Sequence, residues 1–326
     1  MGKRRNILFF TSSEYGQANV ILAVAYELLA LQQYEVHIAS FEPLRQRVDG
    51  LNKLFPQDGI AVIFHSIVGQ AALNALVAKD EFIGPYSPGV RGALNTYRVT
   101  LPAMADTWTE AEYMSSYQSC LDIVSSVEPN IIIADPLMSQ GLEACNTLSR
   151  KHVLWKLKTS GGVAVSSKSK PGSGGFRESG LDEKSLGSIA AERSSGRIRI
   201  AEWLSVDPLA ILETGLIACS VHHGGSNSFH EALSAGVPQV ILPCWLDTLD
   251  FANKVEWLGI GVYGSKMTAP SVEAWELSRA FLKVVDDSEE ASQMALKARE
   301  LADISGKVGG RKKACNKIVE LLESSW

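Results

Sequence analysis

The sequence has no excess of positive charge and few cysteines. Its 31 lysine and arginine residues are outnumbered by 36 aspartate and glutamate residues, which gives a net charge of -5 at pH 7. A nucleic acid would find no basic surface to neutralise its phosphates, so we do not expect it as a partner. The five cysteines are widely spaced and contain no CxxC pair, which indicates reduced thiols and not a zinc or redox motif.

Long hydrophobic runs are also absent. The apolar stretch Ile7–Phe10 follows the basic residues 3–5, but it is shorter than the roughly 7 to 15 residues of a signal-peptide core. No stretch reaches the roughly 18 apolar residues of a membrane span. We therefore expect a cytoplasmic protein without a transmembrane segment.

Two common active-site motifs are missing as well. No GxSxG sequence occurs, and the first predicted strand is followed by the single Gly16 instead of GxGxxG. These absences disfavour a hydrolase with a nucleophile elbow and an enzyme with a dinucleotide site.

The residues that are present predict an α/β protein. The chain has 326 residues, 46% hydrophobic and 21% charged, a balance typical of a packed protein, and its length favours two domains. Helices are predicted over Gln17–Gln33 and Leu101–Val127. Short apolar segments without clean alternation predict parallel strands buried on both faces. The first of these segments begins at Asn6, and the others are Glu35–Ser40, Ala61–His65, Asn130–Asp135, Leu216–Val221 and Gln239–Leu242.

The chain is predicted to divide into three regions. Residues 1–150 form an N-terminal Rossmann-like domain, residues 151–198 a strand followed by a flexible insert, and residues 199–326 a C-terminal domain. Ten serines and eight glycines occur among the 39 residues 159–197, and this composition favours a flexible loop over packed structure.

The most informative motif begins at Cys219 and continues past Glu231. Gly224 and Gly225 follow a predicted strand and allow a tight turn, while Asn227 and Ser228 occupy the expected start of a helix. Free N–H groups at that helix end would attract an anion, and His223 could add a donor. Glu231 lies one turn further, where its carboxylate could accept hydrogen bonds from a ribose diol. The pattern predicts a nucleotide-diphosphate site.

Residues 197–264, which contain this motif, resemble the signature of UDP-dependent family 1 glycosyltransferases of the GT-B fold, especially fungal and sterol-type members with His-His-Gly-Gly. Residues 7–29 and 129–141 resemble the acceptor-side domain of that family. The resemblance implies two Rossmann-type, doubly wound domains, the second of them incomplete. It also implies an inverting hexosyltransferase that needs no cofactor or metal and moves a sugar from a UDP-sugar, such as UDP-glucose, to a small lipophilic acceptor.

The resemblance assigns roles to particular side chains. His223, Asn227 and Ser228, with Gly225, would hold the diphosphate, and Glu231 the ribose. The remaining donor contacts would come from Asp247 and Thr248 at the sugar hydroxyls, Thr248 standing where many members have glutamine, and from Trp203 stacked on the uracil.

The expected catalytic histidine is missing. Family members place a histidine just after the first strand, oriented by an aspartate; here the two positions are Gln17 and Asp135. Glutamine has no titratable proton and cannot act as a general base. Glu14, His65 and Asp135 itself remain as candidates, and Asp135 could instead cap the turn before Pro136.

The resemblance also implies that a block of sequence is absent inside the chain, because Val153–Lys158, which resembles a donor-domain strand, follows the strand at Asn130–Asp135 almost at once. Transfer could therefore be impaired. Two alternatives remain open: a non-catalytic or defective UDP-sugar-binding paralogue, and an isomerase similar to UDP-sugar epimerases. A metal site built from His222, His223 and His230 is disfavoured because neighbouring residues at a strand end point in opposite directions.

Overall fold

The structure is a computed structural model that describes residues 4–56, 58–78, 87–148, 153–156, 187–201, 206–244 and 246–324. The strands among these residues are β1 (Asn6–Phe10), β2 (Glu35–Phe41), β3 (Ile63–Ile67), β4 (Ile131–Ala134), β5 (Val153–Lys156), β6 (Ser220–His222), β7 (Gln239–Ile241) and β8 (Gly261–Tyr263).

The α-helices lie between and after these strands. They are α1 (Tyr15–Leu31), α2 (Arg45–Asn52), α3 (Ala72–Ala78), α4 (Gly89–Ala105), α5 (Glu110–Val127), α6 (Ser139–Thr147), α7 (Ala190–Ser194), α8 (Pro208–Leu212), α9 (Ser226–Ala235), α10 (Leu246–Trp257), α11 (Ala274–Val285), α12 (Glu289–Val308) and α13 (Gly310–Ser324). None of the described helices is both long enough and apolar enough to cross a bilayer.

The first sheet is parallel, with the strand order β3-β2-β1-β4-β5. Every residue of β1 and β4 is buried, as expected for strands covered on both faces. Ile7 and Phe9 of β1 pack with α1, α2 and α13 on one face, whereas Leu8 and Phe10 pack with α5 and α6 on the other. The carboxyl ends of β1 and β4 consequently lie side by side at one edge of the sheet.

The second sheet is also parallel and contains three described strands in the order β6-β7-β8. Ile241 packs on one face with Phe229 of α9, and Val240 packs on the other with Val284 of α11. The two sheets with helices on both faces confirm the predicted α/β fold class.

The last helix, α13, packs on the first sheet. Cys315, Ile318 and Leu322 belong to the same buried cluster as Ile7 and Phe9. Within residues 199–326, this helix therefore contacts the N-terminal core.

Two predicted elements need correction. Val153–Lys156 pairs in parallel with β4, so it extends the first sheet and does not begin the second domain. The predicted helix over Leu101–Val127 is two helices, because Thr109 and Glu112 form a capping box that starts α5, which ends the preceding helix before it.

The predicted flexible insert, residues 159–197, lies outside the described residues up to position 186. Its last part contains α7, contrary to the loop prediction. The Ala-Ala-Glu-Arg sequence of this helix is rich in strong helix formers, which the serine and glycine content of the segment obscured.

Candidate functional site

A tight turn joins β6 to α9, as the glycines predicted. Gly224 has φ +85°, and a Cβ there would lie 2.5 Å from Ile241 Cγ2 and 3.1 Å from the Thr248 carbonyl oxygen. The left-handed backbone and this close approach both require glycine. The turn therefore brings the start of α9 against the first turn of α10.

His222 holds this turn in place through hydrogen bonds at both of its ring nitrogens. The backbone N–H of Gly224 donates to His222 Nδ1 at 3.0 Å, so the ring proton is on Nε2, which donates to Gln239 Oε1 at 2.9 Å. Gln239 is fully buried and donates in turn to the Phe229 carbonyl oxygen at 3.3 Å. Burial lowers the pKa of His222 to about 4, so the ring is neutral at pH 7 and serves as a clamp across β6 and β7.

The N-terminus of α9 has no side-chain cap from its N-cap residue. That residue is Gly225, which has no side chain to accept from the first helical N–H groups, and the predicted capping residues Asn227 and Ser228 lie inside the first turn. The first helical hydrogen bond joins Phe229 N–H to the Gly225 carbonyl. The N–H groups of Ser226, Asn227 and Ser228 consequently have no partner within the helix, and they form the anion-attracting end that the motif predicted.

His223, Asp247 and Thr248 surround this helix end. A Cβ on Gly225 would lie 2.3 Å from His223 Nε2, so the imidazole lies directly against the N-cap. Burial lowers the pKa of His223, and the nearby charge of Asp247 opposes that shift. Thr248 is buried behind the glycine turn, whereas Asp247 is exposed. The structure thus brings together six of the predicted donor-site residues, His223, Gly225, Asn227, Ser228, Asp247 and Thr248.

The two remaining predicted donor contacts differ in status. Glu231 is 5% exposed on α9, so its carboxylate is held within the protein instead of extending into solvent. Trp203, the predicted uracil contact, lies outside the described residues.

The histidines of this region do not converge on a common point. His230 Nδ1 donates to the Ser226 carbonyl oxygen at 2.7 Å, while both ring nitrogens of His222 are engaged in the clamp. Among the described residues no group of three or more His, Cys, Asp or Glu side chains could hold a metal ion.

A second polar cluster lies at the carboxyl edge of the first sheet. Asp135 follows β4 and is buried; its Oδ1 accepts from the Leu137 N–H at 2.9 Å and its Oδ2 from Thr11 Oγ1 at 3.4 Å. Glu14 precedes α1 and accepts from Ser12 Oγ and from the Leu73 N–H. Burial raises the pKa of both carboxyls, and the charge of Asp135 raises the pKa of Glu14 further.

Gln17 lies in the first turn of α1, beside Glu14. His65, by contrast, is in β3, three strands from β4 and so about 14 Å away at the usual strand spacing. Its Nε2 is 2.9 Å from Nδ1 of His37. His65 is therefore not close to Asp135, because two strands separate β3 from β4 in the sheet. The sequence could not reveal this separation, since the order of strands in a sheet does not follow from their order in the chain.

Sequence reasoning missed the clamp and the groups that hold the carboxyls. The pairing of His222 with Gln239 depends on β6 lying next to β7, which no local pattern indicates. Thr11 and Ser12 did leave a signal, since polar residues directly after a buried strand lie at the edge where parallel-sheet sites form.

Comparison with known families gives a match over residues 181–305 to the erythromycin biosynthesis protein CIII-like C-terminal domain. This range contains the glycine turn, α9 and α10. It begins within the segment predicted as an insert.

Two curated relatives differ in how much they cover. Glycosyltransferase sdnJ of Sordaria araneosa is 25% identical over 95% of this chain and 96% of its own length. A sterol 3-beta-glucosyltransferase of Komagataella phaffii is 38% identical, but over 23% of this chain and 6% of its own length. The fungal and sterol-type resemblance is thus supported locally, and the long-range match is to a glycosyltransferase of another description.

The sdnJ alignment also bears on the predicted internal loss. It extends over 493 positions, although this chain has 326 residues, so at least the difference, 167 positions, has no residue of this chain opposite it. Since both chains are covered almost end to end, the unmatched positions lie inside the alignment. This supports the prediction that an internal block is absent.

Among solved structures, the glycosyltransferase SsfS6 of Streptomyces sp. SF2575, complexed with thymidine diphosphate, has a TM-score of 0.61 and 15% identity over 98% of this chain and all of that chain. A likeness at this identity concerns the fold. Residues 181–305 thus match the erythromycin biosynthesis protein CIII-like C-terminal domain, and the chain has the GT-B fold of the glycosyltransferases to which it is similar.

Proposed function

We propose that this protein transfers a hexosyl group from a UDP-sugar, with UDP-glucose as the first choice, to a hydroxyl of a small lipophilic acceptor. The observation that carries the proposal is the start of α9, which has no side-chain cap from its N-cap residue, behind a glycine turn that His222 holds in place. This arrangement offers fixed N–H donors to a diphosphate. A diphosphate is the leaving group in transfer from a nucleotide sugar.

The donor site supplies positive potential through the protein alone. The helix end and His223 would contact the diphosphate, and they would stabilise the charge that develops on it as the sugar departs. Asp247 is exposed beside them and would accept hydrogen bonds from sugar hydroxyls, with Thr248 behind it. Trp203 is proposed to stack on the uracil, and no metal or organic cofactor is included.

Glu231 would select the ribose of UDP. A carboxylate can accept from the 2′- and 3′-hydroxyls together, whereas thymidine diphosphate offers only the 3′-hydroxyl. Because Glu231 is almost fully buried, its hydrogen bonds to a bound ribose would be shielded from water and correspondingly strong. A preference for UDP over TDP is therefore expected to depend on this side chain.

The acceptor side is apolar around its polar centre. Leu73 and Leu137 are 52% and 60% exposed, and they border Glu14 and Asp135 through their backbone N–H groups. Met114 is 49% exposed on α5. Such side chains would contact a lipophilic molecule while the carboxyls contact its hydroxyl.

The reaction would invert the anomeric centre, because direct attack by the acceptor oxygen displaces the diphosphate from the opposite face. The attack requires a group that takes the hydroxyl proton, and Glu14 and Asp135, at the carboxyl edge of the first sheet, are the carboxyls proposed for this role.

The test combines binding with product analysis. The purified chain is titrated with UDP and with TDP by calorimetry, and then incubated with UDP-glucose and phenolic, sterol and terpenoid acceptors. Mass spectrometry is expected to show a hexoside of at least one acceptor. An altered UDP-sugar in place of a hexoside would indicate an isomerase.

A second candidate function is non-catalytic binding of a UDP-sugar. It is favoured by Gln17 in place of the usual base and by the internal positions without a counterpart in this chain. Tight UDP binding without hexoside formation from any acceptor would favour this candidate.

We also propose a cytoplasmic location. All five cysteines are free, and Cys120, Cys145 and Cys315 are buried in the core. Unpaired thiols are typical of a reducing compartment.

A further inference from the structure

We propose that Glu14 is the group that takes the proton from the acceptor hydroxyl, with Asp135 as its positioning neighbour. This inference rests on the proposed function and assigns the base that Gln17 cannot supply.

Glu14 and Asp135 follow neighbouring strands of the first sheet. Glu14 follows β1 and Asp135 follows β4, and these strands are hydrogen-bonded neighbours in register from Ile7 with Ile131 to Phe10 with Ala134. Both carboxyls therefore lie at the same edge of the sheet. Their charges interact, as the effect of Asp135 on the pKa of Glu14 shows.

Glu14 is the more accessible of the two carboxyls. Asp135 is 6% exposed, and the Leu137 N–H and Thr11 hydroxyl hold its two oxygens. Glu14 is only partly buried. Its oxygens accept from the Ser12 hydroxyl and the Leu73 N–H, and a carboxylate has about four acceptor positions, so it can also accept from a substrate. Glu14 can thus reach a ligand, while Asp135 is confined.

Exposed apolar side chains border the two carboxyls. The N–H groups that hold the two carboxyls belong to Leu73 and Leu137, whose side chains are more than half exposed. An accessible carboxyl bordered by exposed apolar side chains suits a lipophilic molecule with one hydroxyl. This feature is independent of the charges of the pair.

Gln17 lies one helical turn from Glu14. It lies three residues after Glu14, the N-cap residue of α1, and residues at this spacing lie on the same side of a helix. Its amide can donate a hydrogen bond to the acceptor oxygen but cannot remove a proton. A carboxylate one turn away can do so.

Transfer proceeds by a single displacement at the anomeric carbon. The acceptor oxygen forms a bond to the anomeric carbon while its proton moves to a Glu14 oxygen. The bond from the anomeric carbon to the diphosphate oxygen breaks, and its electron pair leaves with the nucleoside diphosphate. Glu14 then releases the proton to solvent.

The kinetic test compares two acceptors in Glu14→Gln. With an aliphatic alcohol, which must lose its proton during attack, kcat is expected to fall by roughly 10²- to 10⁴-fold. With 4-nitrophenol at pH 9, already ionised, the rate should fall less than threefold. UDP affinity should stay within twofold. A merely structural role for Glu14 would lower both rates together.

Rescue provides the matched control. Gln17→His added to Glu14→Gln should recover at least tenfold of the lost rate with the aliphatic alcohol, because an imidazole would again lie in the first turn of α1. Two results would overturn the base role of Glu14 without contradicting the proposed transfer. One is an equal rate for the native chain and Glu14→Gln with that alcohol, and the other is an equal loss of rate with both acceptors.

A titration tests the pair without turnover. In ¹³C-carboxyl NMR, the pKa of Glu14 should lie above the ordinary glutamate value, and it should be lower in Asp135→Asn than in the native chain. An ordinary value that is insensitive to Asp135→Asn would overturn the pairing. Failure of the native chain to form any glycoside while it binds UDP would overturn the proposed transfer, and the base role with it.

Discussion

The two sheets hold their functional groups in different ways. In the first sheet, β1, β2 and β4, which have four to seven residues, are largely buried between helices on both faces, and the carboxyls follow the ends of β1 and β4. In the second, the strands have three residues each, and the turn after β6 is held by the His222–Gln239 clamp. A core therefore positions the carboxyls of the proposed acceptor side, whereas a few buried polar contacts position the turn of the proposed donor side.

The largest expected effect breaks the first sheet. Phe10→Ala removes a fully buried ring that packs against Gly141 of α6. It should lower the free energy of unfolding by about 3–5 kcal/mol, measured by urea unfolding followed by circular dichroism. Leu54→Ala, at a side chain that is 69% exposed, is the control and should change it by less than about 0.5 kcal/mol. A similar loss in both variants would contradict the role given to the core.

The next effect concerns donor affinity. Glu231→Ala should weaken UDP binding by roughly 1.5 to 3 kcal/mol, about ten- to hundredfold, because charge-assisted hydrogen bonds to the ribose are lost. TDP binding should weaken less, so calorimetry with both nucleotides isolates the 2′-hydroxyl. Unchanged UDP affinity would remove the ribose assignment.

Gly224→Ala tests the turn itself. The positive φ and the contact with Ile241 predict a loss of roughly 1–3 kcal/mol in the free energy of unfolding and at least a tenfold loss in UDP affinity. Gly306→Ala is the matched control, since nothing lies within 4 Å of a Cβ there. It should leave UDP affinity unchanged.

Acid should weaken the donor side through the clamp. The folded-state pKa of His222 is about 4, below the ordinary 6.5, so the unfolded chain binds the proton first as the pH falls. The free energy of unfolding should therefore decrease between about pH 6.5 and 4. In His222→Asn this part of the decrease should disappear, as urea titrations at a series of pH values would show. An identical pH profile in the variant would contradict the clamp.

The smallest expected effect has the opposite sign on the acceptor side. The pKa of Glu14 is raised in the folded chain, so the folded state binds the proton more tightly. Its contribution to the free energy of unfolding should become less favourable as the pH rises from the ordinary glutamate value through the raised one. Glu14→Gln should remove this slope without altering the His222 slope, and loss of both slopes together would show that the two regions titrate as one.

The same difference explains what the sequence could predict. The buried strands β1 and β4 follow directly from their apolar runs, and the glycine turn follows from Gly224 and Gly225. The sheet order does not, because pairing of distant segments leaves no local signal; this is why His65 was grouped with Asp135, and Val153–Lys156 with the second domain. The start of α5 could have been predicted from the capping-box residues Thr109 and Glu112, which the single helix predicted over Leu101–Val127 overlooked, whereas the cap of α9 is a glycine without a side-chain signature.

The docking of α13 on the first sheet has a consequence for synthesis on the ribosome. Residues 315–322 fill the cluster that contains Ile7 and Phe9, and Arg5 donates to the Leu322 carbonyl oxygen at 2.6 Å. The part of α1 that packs against α13 therefore stays uncovered until residues 310–324 have been added to the nascent chain. N-terminal domains usually fold as units during translation, whereas the core of this one is complete only after its last helix has been made.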